Sequence, residues 1–312
     1  MLKNIVLMEL YRAFKQKSTW VILVILFVTT ILFSFFLLGF NISALFGISQ
    51  DTMEEAATMD VNSAIDKFFK EGGIAQVAAA YERSSNPSYY EEDIEIVGEG
   101  MFYDSTACDV FRYNVSTMNE LMFLAIFAGL FFGSDYAFGM ARNYTLINKK
   151  RWMGLAGKGI AMAAYVLVMH IWIWLISAFS STVWAKTFDL GISPKFFLYF
   201  VTTYLLILSF ALVVACVTVV LRSRSAGITF GVLFSMGTIS YIVQFADMWL
   251  KYKNDNIPQD FSLSHMMITM NLVDLRFDSP AWIYTRSFLC FLVYGGLACL
   301  ISCLLVKRRD IS

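Results

Sequence analysis

Residues able to do chemistry are few in this chain, and they are unevenly placed. There are two histidines, His170 and His265, and five cysteines in 312 residues. His170 stands alone in the apolar run VLVMHIWIWL. An ionisable ring there is costly and marks a candidate pathway or proton-handling residue; a neutral ring bonded to a neighbouring helix is the structural alternative. Cys216, Cys290, Cys299 and Cys303 fall in apolar runs and read as small core residues. Cys108 lies outside those runs and is either free or paired with another copy. The motifs HExxH and GxSxG and any metal-ligand cluster are missing. GLAGKG at 154–159 lacks the spacing of a phosphate loop and the Ser or Thr after its Lys. If the protein uses ATP, the ATP site is on another chain.

One stretch concentrates charge between apolar runs: GSDYAFGMARNYTLINKKRWMGLAGK, residues 133–158. As a helix, it puts Asp135, Gly139, Arg142 and Leu146 on one stripe within an arc of about 60°. Tyr136, Met140, Tyr144 and Ile147 make a second, apolar and aromatic stripe. Such a two-faced helix suits a groove on a partner, with aromatic anchors in the pocket and a charged edge for register. Lys149, Lys150 and Arg151 mark the return to a membrane surface, where Trp152 is also at home. A plain basic loop between two spans is the alternative reading.

The elements that must position these residues are membrane helices. Hydrophobic residues make up 58% of the chain and charged ones 15%, with 29 phenylalanines. Apolar windows of about 20 residues are long enough to cross a bilayer. Six spans are read, at roughly 18–40, 115–134, 159–183, 196–221, 226–246 and 283–306, the second starting nearer Arg112 if its short uncharged core is to reach. The first run is too long for a signal peptide and lacks a cleavage site. The chain is thus expected to be an all-α polytopic membrane protein, a single domain over 1–312.

Charge sets the expected orientation. With both termini on one side, the segments on that side hold 14 basic residues against Glu9, Asp135 and Asp310, a net +11, and the other segments balance it at −11. Basic residues near span ends stay inside. The termini and the 135–158 loop are therefore expected in the cytoplasm of a cell membrane protein, and 41–114 and 247–282 outside. Residues 1–17 contain an amphipathic interfacial helix, with Val6, Leu7, Leu10, Ala13 and Phe14 toward lipid and Glu9, Arg12 and Lys15 on the polar face. In 41–114, two helices precede an acidic run, Glu91 to Glu99, that reads as a solvated face rather than a calcium loop. In 247–282, a short helix is capped by Ser262 or Ser264. Glu120 and Arg286 lie near outer span ends and are candidates for an ion pair.

Small residues recur at four-residue spacing: Ala125, Gly129 and Gly133 in span two, and Gly227, Gly231 and Ser235 in span five. Stripes of this kind allow close helix approach, either within one subunit or at a dimer seam.

The ordered set Asp135, Gly139, Arg142, Lys150, Arg151 and Lys158, between spans two and three, resembles the permease subunits of type-2 ABC transporters (ABC-2). The likeness extends to the interfacial helix, the six spans and the outer helix before span six. Asp135 stands where that family more often has Glu, and INKK replaces a turn with Pro or Ser.

The resemblance implies that 135–158 is a coupling helix seated on an ATP-binding subunit. The contact residues would be Asp135, Tyr136, Gly139, Met140, Arg142, Tyr144, Ile147, Lys150 and Arg151. It implies a permease dimer, with ATP and Mg held only by the partner. This chain would then be no enzyme and would bind no cofactor, metal or nucleic acid itself. The apolar, Phe- and Met-rich spans suggest export of a hydrophobic or amphipathic cargo such as a peptide toxin, bacteriocin or antibiotic. Two alternatives stand beside it: a membrane sensor or immunity protein binding a ligand through 41–114, and an intramembrane enzyme using His170.

Overall fold

In hydrocarbon, every backbone N–H and C=O must be bonded within its own segment, so apolar windows of this length fold as helices. The computed structural model describes residues 2–39, 106–137, 152–185, 189–253 and 262–308, and among these every regular element is helical. Helices α1 (Leu2–Lys15) and α2 (Lys17–Gly39) follow one another directly. Next come α3 (Ala107–Ser116), α4 (Asn119–Ala137) and α5 (Trp152–Ser180), the last continued by a π-helical turn over Ser181–Ala185. Then follow α6 (Pro194–Leu221), α7 (Arg224–Ser235), α8 (Thr238–Lys253), the short α9 (Ile268–Asp274) and α10 (Ala281–Arg308).

Four helices, α2, α5, α6 and α10, are long and apolar enough to cross a membrane. The number is six if the bent pairs α3–α4 and α7–α8 each count as one span. The first pair bends by 57° and the second by 56°. Each bend is made by one residue of positive φ, Met118 at 58° and Gly237 at 75°. Glycine takes that conformation freely, whereas a methionine must be held in it by its surroundings.

These bends correct two expectations. The second apolar run is not one helix from 115 but α4 preceded by a separate α3. The fifth is broken at Met236–Gly237 instead of running straight through 226–246. Residues 107–114, expected in an outer segment, form the buried part of α3, held at its start by a reciprocal cap between Thr106 and Asp109. The third span starts at Trp152 rather than 159, so Lys158 lies inside a helix and not in the loop. The expected serine cap before α9 is also absent. Ser262 is hydrogen-bonded to Asp247 instead, and a 3₁₀ turn at Ser264–Met266 leads to an extended Met267 that starts the helix. Residues 40–105, with the acidic run, lie outside the described residues.

Helix α6 runs through the centre and touches α4, α5, α7, α9 and α10. Aromatic stacking fills the core: Phe127 lies 3.6 Å from Tyr165 between ring centroids, and Phe131 lies 5.5 Å from Phe127. The outer faces of α2, α8 and α10 are apolar and exposed, with Val24, Val28, Phe245, Leu292 and Leu300 among them. Apolar faces of that kind suit hydrocarbon rather than water. The end of α1, the end of α4 and the starts of α5 and α7 meet at one end of the bundle, here termed the lower end.

Candidate functional site

The lower end contains a network of four buried or half-buried charges from three helices. Its hub is Asp135, two residues from the end of α4. Arg12 Nη1 on α1 donates to Asp135 Oδ1 at 3.0 Å. Lys158 Nζ, in the second turn of α5, reaches Asp135 Oδ2 at 2.5 Å. Ser134 Oγ donates to the Phe131 carbonyl at 2.7 Å and accepts from Arg12 Nη2 at 2.6 Å. Lys158 donates to the same carbonyl at 3.1 Å and sits 5.0 Å from the centroid of the Phe131 ring. Glu9, with no exposed surface, lies 3.7 Å from Arg12.

The chemistry of this arrangement is self-compensating. Two acids and two bases sum to zero, so the network can be buried without a net charge. The C-terminal end of α4, with its negative dipole, faces both cations. A lone buried ammonium would be strongly unfavourable, but Lys158 finds a carboxylate, a carbonyl and an aromatic face.

Close backbone approach makes the network possible. A Cβ at Gly157 would come within 2.7 Å of Ile5, so α1 lies directly on α5. Thr19 donates to the Ala13 carbonyl at 2.5 Å and Trp20 to the Phe14 carbonyl at 2.9 Å, fixing the corner between α1 and α2.

This overturns the expected orientation of α1. Glu9 and Arg12, expected on its polar headgroup face, point into the bundle. Leu7, Met8 and Tyr11 are exposed. A helical wheel ranks residues by water affinity; it cannot see that α4 and α5 supply partners for the charges.

Of the residues singled out in the 135–158 stretch, Asp135 joins the network and Tyr136 is half-buried against the core. Gly139, Met140, Arg142, Tyr144, Ile147, Lys150 and Arg151 lie outside the described residues. Asp135 and Lys158 therefore join the two ends of the 138–151 segment through a single ion pair. The small-residue stripes meet each other within the chain. A Cβ at Gly129 would approach Ile228 to 2.5 Å, one at Gly133 would approach Arg224 Cα to 2.8 Å, and one at Gly231 would approach Ala125 to 2.7 Å. Gly227 faces Thr218 on α6, and Ser235 is buried at the end of α7.

His170 is fully buried, between Glu120 and Thr203. Glu120 therefore does not pair with Arg286; that residue bonds Asp274 and Asn271 instead. Cys108 is a free, buried thiol that donates to the Leu190 carbonyl. Among the described residues no group of His, Cys, Asp and Glu could hold a metal.

The comparisons with known proteins add no relative. No family model matches the chain, nor does any curated protein or solved structure.

Sequence reasoning saw each charge of the network but not their convergence. One signal was available: Lys158 opens an apolar run, and a charge in such a place demands a partner.

Proposed function

We propose that the chain is the transmembrane subunit of an ATP-driven exporter of the ABC-2 type. In this reading six spans cross the cell membrane, both termini are cytoplasmic, and the 135–158 stretch is the coupling element on a separate ATP-binding subunit. ATP and Mg belong to that subunit. A second copy, or a homologous permease, completes the assembly. The cargo is hydrophobic or amphipathic: a peptide toxin, bacteriocin or antibiotic.

The observation that carries the reading is the network of Glu9, Arg12, Asp135 and Lys158. A segment that transmits force needs rigid roots, and here both roots are joined to each other and to α1. Movement of the segment by a closing ATPase would shift α4 and α5 as a body and carry α1 with them, a rigid-body transition biased by nucleotide. The α4–α7 seam links the same movement to the fifth span.

Purification of the full chain from its native host in mild detergent tests this. Mass spectrometry should find a co-eluting chain with a phosphate loop, and the eluate should hydrolyse ATP. Arg142→Glu or Tyr144→Ala should abolish co-elution while leaving the chain folded. Co-elution that survives both substitutions, or no ATPase in several detergents, would overturn the reading.

A further inference from the structure

A second buried polar cluster takes no part in the lower network. Glu120 lies at the start of α4, His170 in the middle of α5 and Thr203 on α6. Glu120 is 1% exposed and His170 0%. His170 Nδ1 is 3.0 Å from Glu120 Oε2, and its Nε2 is 3.1 Å from Thr203 Oγ1. Phe111 and Phe200 enclose the imidazole, with centroids at 5.1 and 4.6 Å.

The protons of this cluster can be counted. Thr203 has one hydroxyl hydrogen, and Oγ1 is 2.9 Å from the Tyr199 carbonyl, which can only accept. Oγ1 can give that hydrogen to the carbonyl and accept from Nε2–H, or give it to Nε2 with the ring hydrogen then on Nδ1. In the first arrangement a proton on Oε2 or on Nδ1 makes the bond between them; in the second the ring's own Nδ1 hydrogen makes it, to an ionised carboxylate.

The second carboxyl oxygen decides between these arrangements. Glu120 Oε1 is buried and has no hydrogen-bond partner among the described residues. An ionised carboxylate would leave negative charge on a bare buried oxygen, while a neutral acid leaves only a carbonyl oxygen there.

We propose that Glu120 and His170 form a proton-binding site within the bundle, with Glu120 as a neutral acid donating from Oε2 to His170 Nδ1. The loaded proton ties α4, α5 and α6 together. No described neighbour replaces it. Helix α2 has no charged residue beyond Lys17. On α3, Asp109 is bonded to Thr106, and Arg112 and Tyr113 are half-buried. The other charges of α4 and α5, Asp135 and Lys158, bond each other at the lower end. On α6, Tyr199 adjoins Thr203, and Lys195 bonds Asp278. Beyond these, Arg286 of α10 and His265 both bond Asp274 of α9.

The test needs only the full chain in lipid nanodiscs, labelled with ¹⁵N-histidine. Two histidines give two sets of ring signals, and His265→Gln assigns them. The expected His170 ring is neutral, with hydrogen on Nε2 and a hydrogen-bonded, unprotonated Nδ1. A neutral ring with hydrogen on Nδ1, or an imidazolium, would overturn the proposal.

Glu120→Gln supplies a second readout, since its amide can donate to Nδ1 as the acid does. The His170 ring of Glu120→Gln should therefore stay neutral, with hydrogen on Nε2. A ring with hydrogen on Nδ1 in that variant, or a Glu120→Gln protein that does not fold, counts against a neutral acid. Neither readout depends on an ATPase partner, so the permease reading can fail without touching this one.

Discussion

Asp135 engages a different cation with each carboxylate oxygen, and that division predicts unequal effects of substitution. Asp135→Ala leaves the Lys158 ammonium buried against a carbonyl and an aromatic face only. Removing one partner of a buried pair costs about 3–5 kcal/mol. Lys158→Met should cost less, because Asp135 keeps Arg12. The double variant Asp135→Ala, Lys158→Met should be more stable than Asp135→Ala alone. Thermal unfolding of the four proteins in one detergent measures the coupling, and additivity of the two effects would disprove it. Glu9 belongs to the same network. Its spacing places it with Arg12 and Lys15 on a polar face, yet it is buried beside Arg12, whose other partner Asp135 lies 123 positions further along the chain.

Helix pairs are governed by how closely their backbones approach. On the α4–α7 seam, Gly133→Ala places a methyl 2.8 Å from the Arg224 backbone, which cannot move aside as a side chain would. The expected loss is about 1–3 kcal/mol. Gly296→Ala on α10 is the control: nothing lies within 4 Å, and better helix propensity should stabilise it by up to about 1 kcal/mol. If both glycines behave alike in thermal unfolding, the seam does not depend on close approach. A further prediction concerns the end of α6, where Arg222 adopts a left-handed conformation at φ 50°. Arg222→Gly should relieve about 1 kcal/mol of backbone strain and raise the unfolding midpoint.

Across the whole molecule, the proposed orientation puts Arg222 inside and Lys195 outside, at opposite ends of α6. A thiol reagent that cannot cross membranes, added to intact cells, should label Lys195→Cys and spare Arg222→Cys until the cells are opened. The reverse pattern would invert the topology, and with it the placing of the 138–151 segment beside a cytoplasmic ATPase. The exposed strip on α1, with Leu7, Met8 and Tyr11, lies on the opposite side of that helix from the buried network. In the proposed orientation it rests on the inner membrane surface.

The amino-acid sequence determined by itself that this chain is helical and apolar enough for a membrane. Helix formation in such windows follows from hydrogen bonds local in sequence and from length, both readable along the chain. It also located the small-residue stripes, because a period of four is a local property. Tertiary structure alone decided what the polar residues do. It turned Glu9 and Arg12 inward, gave His170 to Glu120 rather than leaving it alone, gave Arg286 to Asp274, and bent two apolar runs at Met118 and Gly237. The reason is the same throughout. In a medium that offers no water, a charge goes where its partner is, and the partner lies on another helix.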